Sequence, residues 1–481
     1  MANIQGTDDP NLLYGTDNAD VIYGLLGNDE IYGGSGGDDV IYAGPEDPVA
    51  NRSDNDTVFG DTFRGGNTND TIYGGYGDDI LHGDSLEGQG GGNDLLFGGL
   101  GNDQLYGGDG TDRLVGGAGN DMLYGGNGYD YAVYLGQYTA YGATFTSDGA
   151  VQITGSDGTD LLSGIERISF ADGYYNVHIG DGSNNSISAD RNVWSLLYGG
   201  NGNDVLTGSQ YNDTLAGGNG NDALYGGSGY DIATYFGQYA DYSATFTNSG
   251  DVQITGREGT DTLNGIERIN FANGFYDVFT GGERIDNLTA DPNVWALMYG
   301  GNSEDLLIGG NGNDVLDGGN DNDSLNGNQG NDQLLGQSGD DYLAGDRGND
   351  TLLGHSGGDY LYGYSKTITT ATEQDILTGG GGSDHFVLGE YNRAFYTVSG
   401  NNDYALITDF DKKASQTDTV FDRIKLSGNA SQYRLQTSSI IGVGTSAGDT
   451  EIFFNKNNTW ERVGIIQDVT NISLSRDVVF V

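Results

Sequence analysis

Aspartate recurs at every ninth residue over long stretches of this chain. Asp94, Asp103, Asp112, Asp121 and Asp130 form one run. Asp204, Asp213, Asp222 and Asp231 form a second. Asp305, Asp314, Asp323, Asp332, Asp341, Asp350 and Asp359 form a third, and Asp375 and Asp384 a short fourth. Near the start, Asn11, Asp20, Asp29 and Asp38 keep the spacing, with Asp39 replacing Asp38 if one residue is inserted. Asp56, Asp70 and Asp79 follow across breaks at Pro45-Glu46-Asp47-Pro48 and around Asn51–Asn55. Carboxylates in register are rows of hard oxygen donors. Together with backbone carbonyls at about 2.3–2.6 Å they suit Ca²⁺, whereas Mg²⁺ demands a tighter octahedron. Zinc wants His or Cys; the chain has 4 His and no Cys.

The elements that would position these carboxylates are written in the same period. Gly98-Gly99-Leu100-Gly101-Asn102-Asp103-Gln104-Leu105-Tyr106 returns at Gly107–Val115 and again at Gly116–Tyr124, as G-G-x-G-x-D-x-U-x with U aliphatic. The glycines are free to take positive φ and turn the chain sharply. The x-U-x that follows reads as a short strand whose aliphatic side chain faces a narrow core.

This nonapeptide resembles that of the RTX family, the repeat-in-toxin or haemolysin-type calcium-binding proteins. The resemblance implies an all-β fold of tandem right-handed parallel β-rolls, with two nonapeptides per turn. Aspartates 18 apart, such as Asp103 and Asp121, would then stack on one edge and hold multiple Ca²⁺ ions. The implied ligands are Asp20, Asp29, Asp38, Asp79 and Asp384, with every aspartate of the three long runs.

Composition agrees. The 481 residues carry 70 Asp and Glu against 19 Lys and Arg, a net charge of −51. That balance disfavours nucleic acid and anionic membranes as partners, and no apolar stretch is long enough to span a bilayer. Absence of Cys excludes a disulfide framework. On the order of a dozen ions would cancel roughly half the net charge. Without them, rows of Asp a strand spacing apart, about 4.8 Å, repel each other. One aliphatic residue in nine is a thin core against that repulsion and against glycine entropy. The repeats are therefore expected to fold when calcium binds.

A period of 101 residues overlies the first. Segments 129–179 and 230–280 agree at 32 of 51 positions, including Gly164-Ile165-Glu166-Arg167-Ile168 and Gly265-Ile266-Glu267-Arg268-Ile269. Alternation in Ala143–Thr146 and Val151–Thr154 reads as antiparallel strands. The expected organisation is roll block 1–128, β module 129–198, roll block 199–229, the second module copy 230–299, roll block 300–364 and a C-terminal β module 365–481. Glu166/Arg167 and Glu267/Arg268 read as structural ion pairs. Trp194 and Trp295, each preceding a roll, read as plugs of an open roll end.

After Tyr364 glycine thins. Asp384-His385-Phe386-Val387-Leu388, Ile407-Thr408-Asp409-Phe410 and Asp422-Arg423-Ile424-Lys425-Leu426 resemble the C-terminal module of bacterial RTX proteins. The ending Asp477-Val478-Val479-Phe480-Val481 is similar to the uncleaved signal read by type I (ABC) secretion systems, and the start shows no cleavable signal peptide. Together they imply export to the cell exterior. No H-E-x-x-H is present. Gly33-Gly34-Ser35-Gly36-Gly37 and Gly354-His355-Ser356-Gly357-Gly358 match the lipase G-x-S-x-G only in phase with the repeat, with no helix to follow. Tyrosines at the ninth position, such as Tyr14, Tyr32, Tyr106 and Tyr124, would form outward ladders, either stacking or offering a flat face to sugars. The favoured expectation is a non-enzymatic surface protein that forms a layer, fibril or sheath with copies of itself. An adhesin that holds surface polysaccharide is the alternative, and an exoenzyme or toxin with an unrecognised site is the third reading.

Overall fold

The computed structural model describes residues 2–44, 55–61, 67–85, 91–247, 249–364, 373–390, 393–397, 402–411, 420–438 and 448–481. The insertion at 45–54 that breaks the early spacing lies outside them. Among the described residues there is no α-helix, and no helix long and apolar enough to cross a membrane. The chain divides into two units, Met1–Gly237 with Gly256–Ile266, and Gln238–Thr255 with Glu267–Val481.

In the first unit each x-U-x becomes a strand, and strands 18 residues apart pair in parallel. Gln104, Leu105 and Tyr106 lie beside Met122, Leu123 and Tyr124. Alternate nonapeptides build opposite sheets. One carries Val21–Tyr23, Val40–Tyr42, Thr71–Tyr76, Leu95–Leu100 and Arg113–Ala118. The other carries Leu12–Tyr14, Glu30–Gly34, Thr57–Asp61, Ile80–His82, Gln104–Gly110 and Met122–Gly128. Since strand side chains alternate in direction, the middle residue of each triplet points between the sheets. Ile22, Ile41, Ile72, Leu96 and Leu114 from one sheet meet Ile31, Val58, Leu81 and Leu105 from the other, all at 0% exposure.

The ninth position lies on the outer face of its sheet, exposed at Tyr14 and Tyr124 but covered at Phe59. Tyr14, Tyr32, Phe59, His82, Tyr106 and Tyr124 stack in one column with centroids 4.6–5.1 Å apart and planes within 12°. Tyr23, Tyr42, Tyr73 and Phe97 form a second column, 4.7–5.1 Å apart and within 6°.

The first β module continues these sheets. Gly142–Phe145 and Val151–Thr154 make the expected antiparallel hairpin, and Val151–Thr154 pairs with Thr159–Ser163. Thr159–Ser163 then lies parallel to Met122–Gly128, and Arg167–Ser169 parallel to Tyr131–Val133. Trp194 opens the next parallel strand, packed on Tyr138 with ring centroids 4.0 Å apart.

In the second unit, Leu306–Ile308, Ser324–Asn326, Tyr342–Asp346, Tyr360–Tyr364, His385–Val387 and Arg423–Leu426 pair in parallel. Facing them are Trp295–Gly301, Val315–Asn320, Gln333–Ser338, Thr351–Gly357 and Gln374–Gly382. The chain's last strand, Val478–Phe480, joins the first of these sheets beside Arg423–Leu426.

Candidate metal centres

The turns between strands bring the aspartates together through their own backbone. Asp121 Oδ1 accepts the N–H of Asp103 at 2.8 Å, and Asp103 Oδ1 accepts that of Asp79 at 2.9 Å. Each rung is thus tied to the next by one charge-assisted bond. One edge of the first unit runs Asp20, Asp39, Asp70, Asp94, Asp112, Asp130. The other runs Asn11, Asp29, Asp56, Asp79, Asp103, Asp121, Asp160. Further on, Asp204, Asp222 and Asp261 form one short ladder, and Asp213 and Asp231 another. The second unit holds Asp286, Asp305, Asp323, Asp341, Asp359, Asp384 and Asp422 on one edge. Asp314, Asp332, Asp350 and Asp375 stand on the other.

The second carboxylate oxygen is the informative one. Oδ2 of Asp94, Asp103, Asp112, Asp121, Asp130, Asp204, Asp222, Asp305, Asp323, Asp332, Asp341, Asp350 and Asp359 is buried without a hydrogen-bond partner. It points into a cradle kept open by the first glycine of the turn. A Cβ on Gly98 would stand 2.3 Å from Asp103 Oδ2 and 2.5 Å from the carbonyl oxygen of Gly116 in the next turn. That glycine is needed for room, while Gly99 and Gly101 are needed for φ of +117° and +140°. Burial pushes the Asp94 carboxyl up to about 9 and Asp103 to about 8, with neighbouring ladder charges adding to it. Asp323 and Asp332 rise to about 8 for the same cause. Neither protonation state is comfortable: an ionised oxygen lacks a counter-charge, and a protonated one lacks an acceptor. A cation satisfies it. Among the described residues no three His, Cys, Asp or Glu side chains converge, so carbonyls must complete any coordination sphere. A donor set of carboxylate and carbonyl oxygens fits Ca²⁺.

The family model described as RTX calcium-binding nonapeptide repeat matches residues 5–40, 57–85, 90–123, 103–132, 198–233, 246–265, 299–334, 335–365 and 367–390, more than half of the chain. The chain belongs to the RTX family. Among solved structures, the extracellular lipase LipA from Serratia marcescens is similar at 16% identity, over 66% of this chain and 44% of that one, with a TM-score of 0.17. This chain therefore spans less than half of that lipase's length. No curated protein matches it.

Within the RTX rows the turns are not equivalent. Asp38 is exposed, and the ladder position in its turn belongs to Asp39, at 2% exposure. One inserted residue shifts Asp38 to the preceding position, where asparagines form a parallel outer ladder. Asp38 Oδ1 accepts the N–H of Asn69 at 3.0 Å, as Asn102 Oδ1 accepts that of Asn120 at 2.9 Å. In other turns Oδ2 is already engaged by the turn itself, as at Asp286, Asp422 and three of the predicted ligands. Asp20 Oδ2 accepts the N–H of Thr16 at 2.6 Å, Asp213 Oδ2 that of Ser209 at 2.5 Å, and Asp314 Oδ2 that of Gly310 at 2.7 Å. Thr16, Ser209 and Gly310 do not take the positive φ seen at Gly99, so their N–H groups point back at the carboxylate.

Three of the residues that end the rows, Glu166, Asp160 and Asp261, lie outside the nonapeptide runs. Glu166 accepts the N–H of Asp130 at 2.7 Å. Its predicted partner Arg167 turns to the opposite strand face, donating to Asn176 Oδ1 at 3.1 Å and lying 4.2 Å over the Tyr174 ring. In the second copy Arg268 pairs with Asp277 at 2.8 Å. In the first copy the Glu–Arg dipeptide is thus not an internal ion pair. Asp160, Asp261 and Asp375 each present Oδ2 to a tyrosine hydroxyl, from Tyr134 at 2.8 Å, Tyr235 at 2.8 Å and Tyr396 at 2.5 Å. Only the Gly158-Thr159-Asp160 and Gly259-Thr260-Asp261 fragments of the motif signalled the first two of these aspartates.

Proposed function

We propose that this chain is an exported, calcium-folded structural protein of the cell surface, without a catalytic site of its own. The observation that carries the reading is the column of buried aspartate Oδ2 atoms that lack a partner. In each such turn a Ca²⁺ ion would be held by Oδ2 and by carbonyls of the stacked turns, such as that of Gly116 beside Asp103. The ligands on this reading include the ladder aspartates named above, together with Asp384, whose Oδ2 is likewise buried without a hydrogen-bond partner. Asp29, Asp79 and Asp231, in the same ladders, are expected to join them. With Ca²⁺ scarce the rows repel and the chain stays extended, which suits passage through a type I secretion channel. Millimolar Ca²⁺ outside then folds it.

The aromatic columns support a structural role over polysaccharide binding. A sugar platform needs ring faces. Here neighbours 4.6–5.1 Å away cover the faces, and the rings turn their edges outward. Ser356, in the lipase-like sequence, donates its hydroxyl to the Gln337 carbonyl at 3.1 Å, and its turn leads to the strand Tyr360–Tyr364 and not to a helix. This favours a repeat turn over a nucleophile elbow.

Circular dichroism and light scattering during Ca²⁺ titration of metal-free protein test the reading. A coil-to-β transition with growing particle size is expected. A β signal that survives removal of calcium overturns the calcium-folded reading. A transition at constant monomer size, with retention on a glycan array, overturns the assembly reading in favour of an adhesin.

A further inference from the structure

The second position of the repeat is normally glycine, and two positions stacked on one edge replace it with a carboxylate. Gly60-Asp61 and Gly83-Asp84 precede the ladder aspartates Asp70 and Asp94 on one edge. The strands before these ladder aspartates, Thr57–Asp61 and Ile80–His82, are paired neighbours, as are the strands after them. Asp61 stands opposite Gly34 in the sheet register. On the other side, the Asp84 carboxylate covers Gly108, where a Cβ would lie 2.3 Å from Oδ2. Both aspartates therefore belong to a column in which Gly34, Gly108 and Gly126 contribute only backbone, and Thr16 only a hydroxyl bonded to Asp20.

Asp84 is 7% exposed. Its Oδ2 accepts the N–H of Asp109 at 2.7 Å, while its Oδ1 is buried without a partner. Asp61 is 2% exposed and takes the Thr68 hydroxyl on Oδ1 at 3.0 Å. Burial raises the Asp84 carboxyl above the usual range. The charges of Asp61 and Asp109 add to this, against the Asp109 and Gly92 N–H groups, which lower it. Asp94 and Asp112 in turn feel the Asp84 charge. Ionised, Asp84 leaves a buried charge uncompensated; protonated, it leaves a donor with no acceptor.

We propose that Asp84, with Asp61 beside it, forms a further cation site on this edge, holding a hard divalent ion through second-position carboxylates that the regular repeat lacks. The site goes beyond the ladder reading, in which only the sixth-position aspartate supplies a side chain. Carboxylate count tunes the affinity of oxygen sites for Ca²⁺, so this position is the first to fill and the natural nucleus for calcium-driven folding of the first unit.

The test counts bound Ca²⁺ by atomic emission after equilibrium dialysis of the full chain, and ranks the binding steps with a competing chelator. Asp84→Gly restores the glycine of the repeat. The expected result is one ion fewer and loss of the tightest step, with the β signal in saturating Ca²⁺ retained. An unchanged count and an unchanged tightest step overturn the proposal. If Asp84→Gly does not fold, Asp61→Asn decides: weakening of the tightest step upholds the site, and no change removes it. Asp112→Asn serves as the ladder control. A lower count for Asp112→Asn but not for the second-position variants overturns this site alone, whereas an unchanged count for Asp112→Asn overturns the ladder reading.

Discussion

The Tyr134 hydroxyl donates to Asp160 Oδ2 at 2.8 Å, whereas Oδ2 of Asp103 and Asp121 on the same ladder is buried without a hydrogen-bond partner. Burial and the Asp160 charge hold that hydroxyl protonated, well above its ordinary range. The duplicated module repeats the arrangement at Tyr235 and Asp261, also at 2.8 Å. On the calcium reading, a neutral donor at the end of the row does there what a cation would do within it. We predict that Tyr134→Phe destabilises the calcium-loaded protein by about 1–3 kcal/mol, the cost of a buried acceptor left unpaired. Denaturant unfolding in saturating Ca²⁺ measures it. Asp160→Asn should leave the number of bound ions unchanged; a lost ion would show that the tyrosine shares its rung with metal.

Interior rungs should behave in the opposite way. Asp103→Asn keeps an oxygen for the Asp79 N–H, bonded at 2.9 Å, but removes the charge from the cradle. We predict fewer bound ions and a higher free-Ca²⁺ midpoint for folding. In metal-free solution the same variant should be at least as stable as the wild type, because a buried, raised carboxyl has been replaced by a neutral amide. Calcium titration followed by circular dichroism reads both effects; a midpoint that does not move removes Asp103 from the ligand set.

How much of this was legible in the sequence follows from where each signal lies. The nonapeptide carries its own turn, ligand and core residue, so the two-sheet roll and the rows from Asp94 to Asp130 could be read locally. Asp160 could not, because it meets Asp121 across 39 residues and the strands between them return antiparallel before the ladder resumes. The choice between Asp38 and Asp39 turned on a single insertion. The tyrosine caps left no local mark, since Tyr134 and Asp160 lie 26 residues apart. Nor did periodicity distinguish Asp20 from Asp103. The difference lies in φ at the second turn position: Thr16, outside the left-handed region, donates its N–H to Asp20 Oδ2, whereas Gly99 at +117° leaves Asp103 Oδ2 without a hydrogen-bond partner.

Acidity should substitute in part for calcium. Burial raises Asp94 to about 9 and Asp103 to about 8, against about 3.9 for an unfolded aspartate. The native state therefore binds more protons than the unfolded one between these values, and stability falls as pH rises. The contribution is fully present below about pH 4 and is lost as pH passes through the folded-state values. Metal-free, desalted protein should show its strongest β signal near pH 4 and lose it towards pH 8–9. Calcium binding should follow the reverse course, tightening as pH rises because protons compete for the same oxygens. A metal-free β signal that grows with pH would contradict the burial of these carboxyls.

The turns also hold left-handed backbone where glycine is absent, and this gives a test with two signs. His355 occupies the second position of its turn at φ +71°, and Leu25 does so at +81°. For a residue with a Cβ this conformation costs roughly 1–2 kcal/mol, partly offset by the entropy that glycine loses on folding. We predict that His355→Gly and Leu25→Gly each stabilise the calcium-loaded protein by about 0.5–1 kcal/mol. Gly117 sits at the equivalent position of another turn, at φ +111°, but a Cβ there would stand 2.1 Å from the Gly99 carbonyl oxygen. Gly117→Ala must move one turn against the next and spoil the stacking of the carbonyls between them. Its expected signature is a raised Ca²⁺ midpoint together with lower stability, whereas the two glycine variants should lower the midpoint. Opposite shifts in one calcium titration would tie turn conformation to ion binding; a Gly117→Ala variant that folds at the wild-type midpoint would separate them.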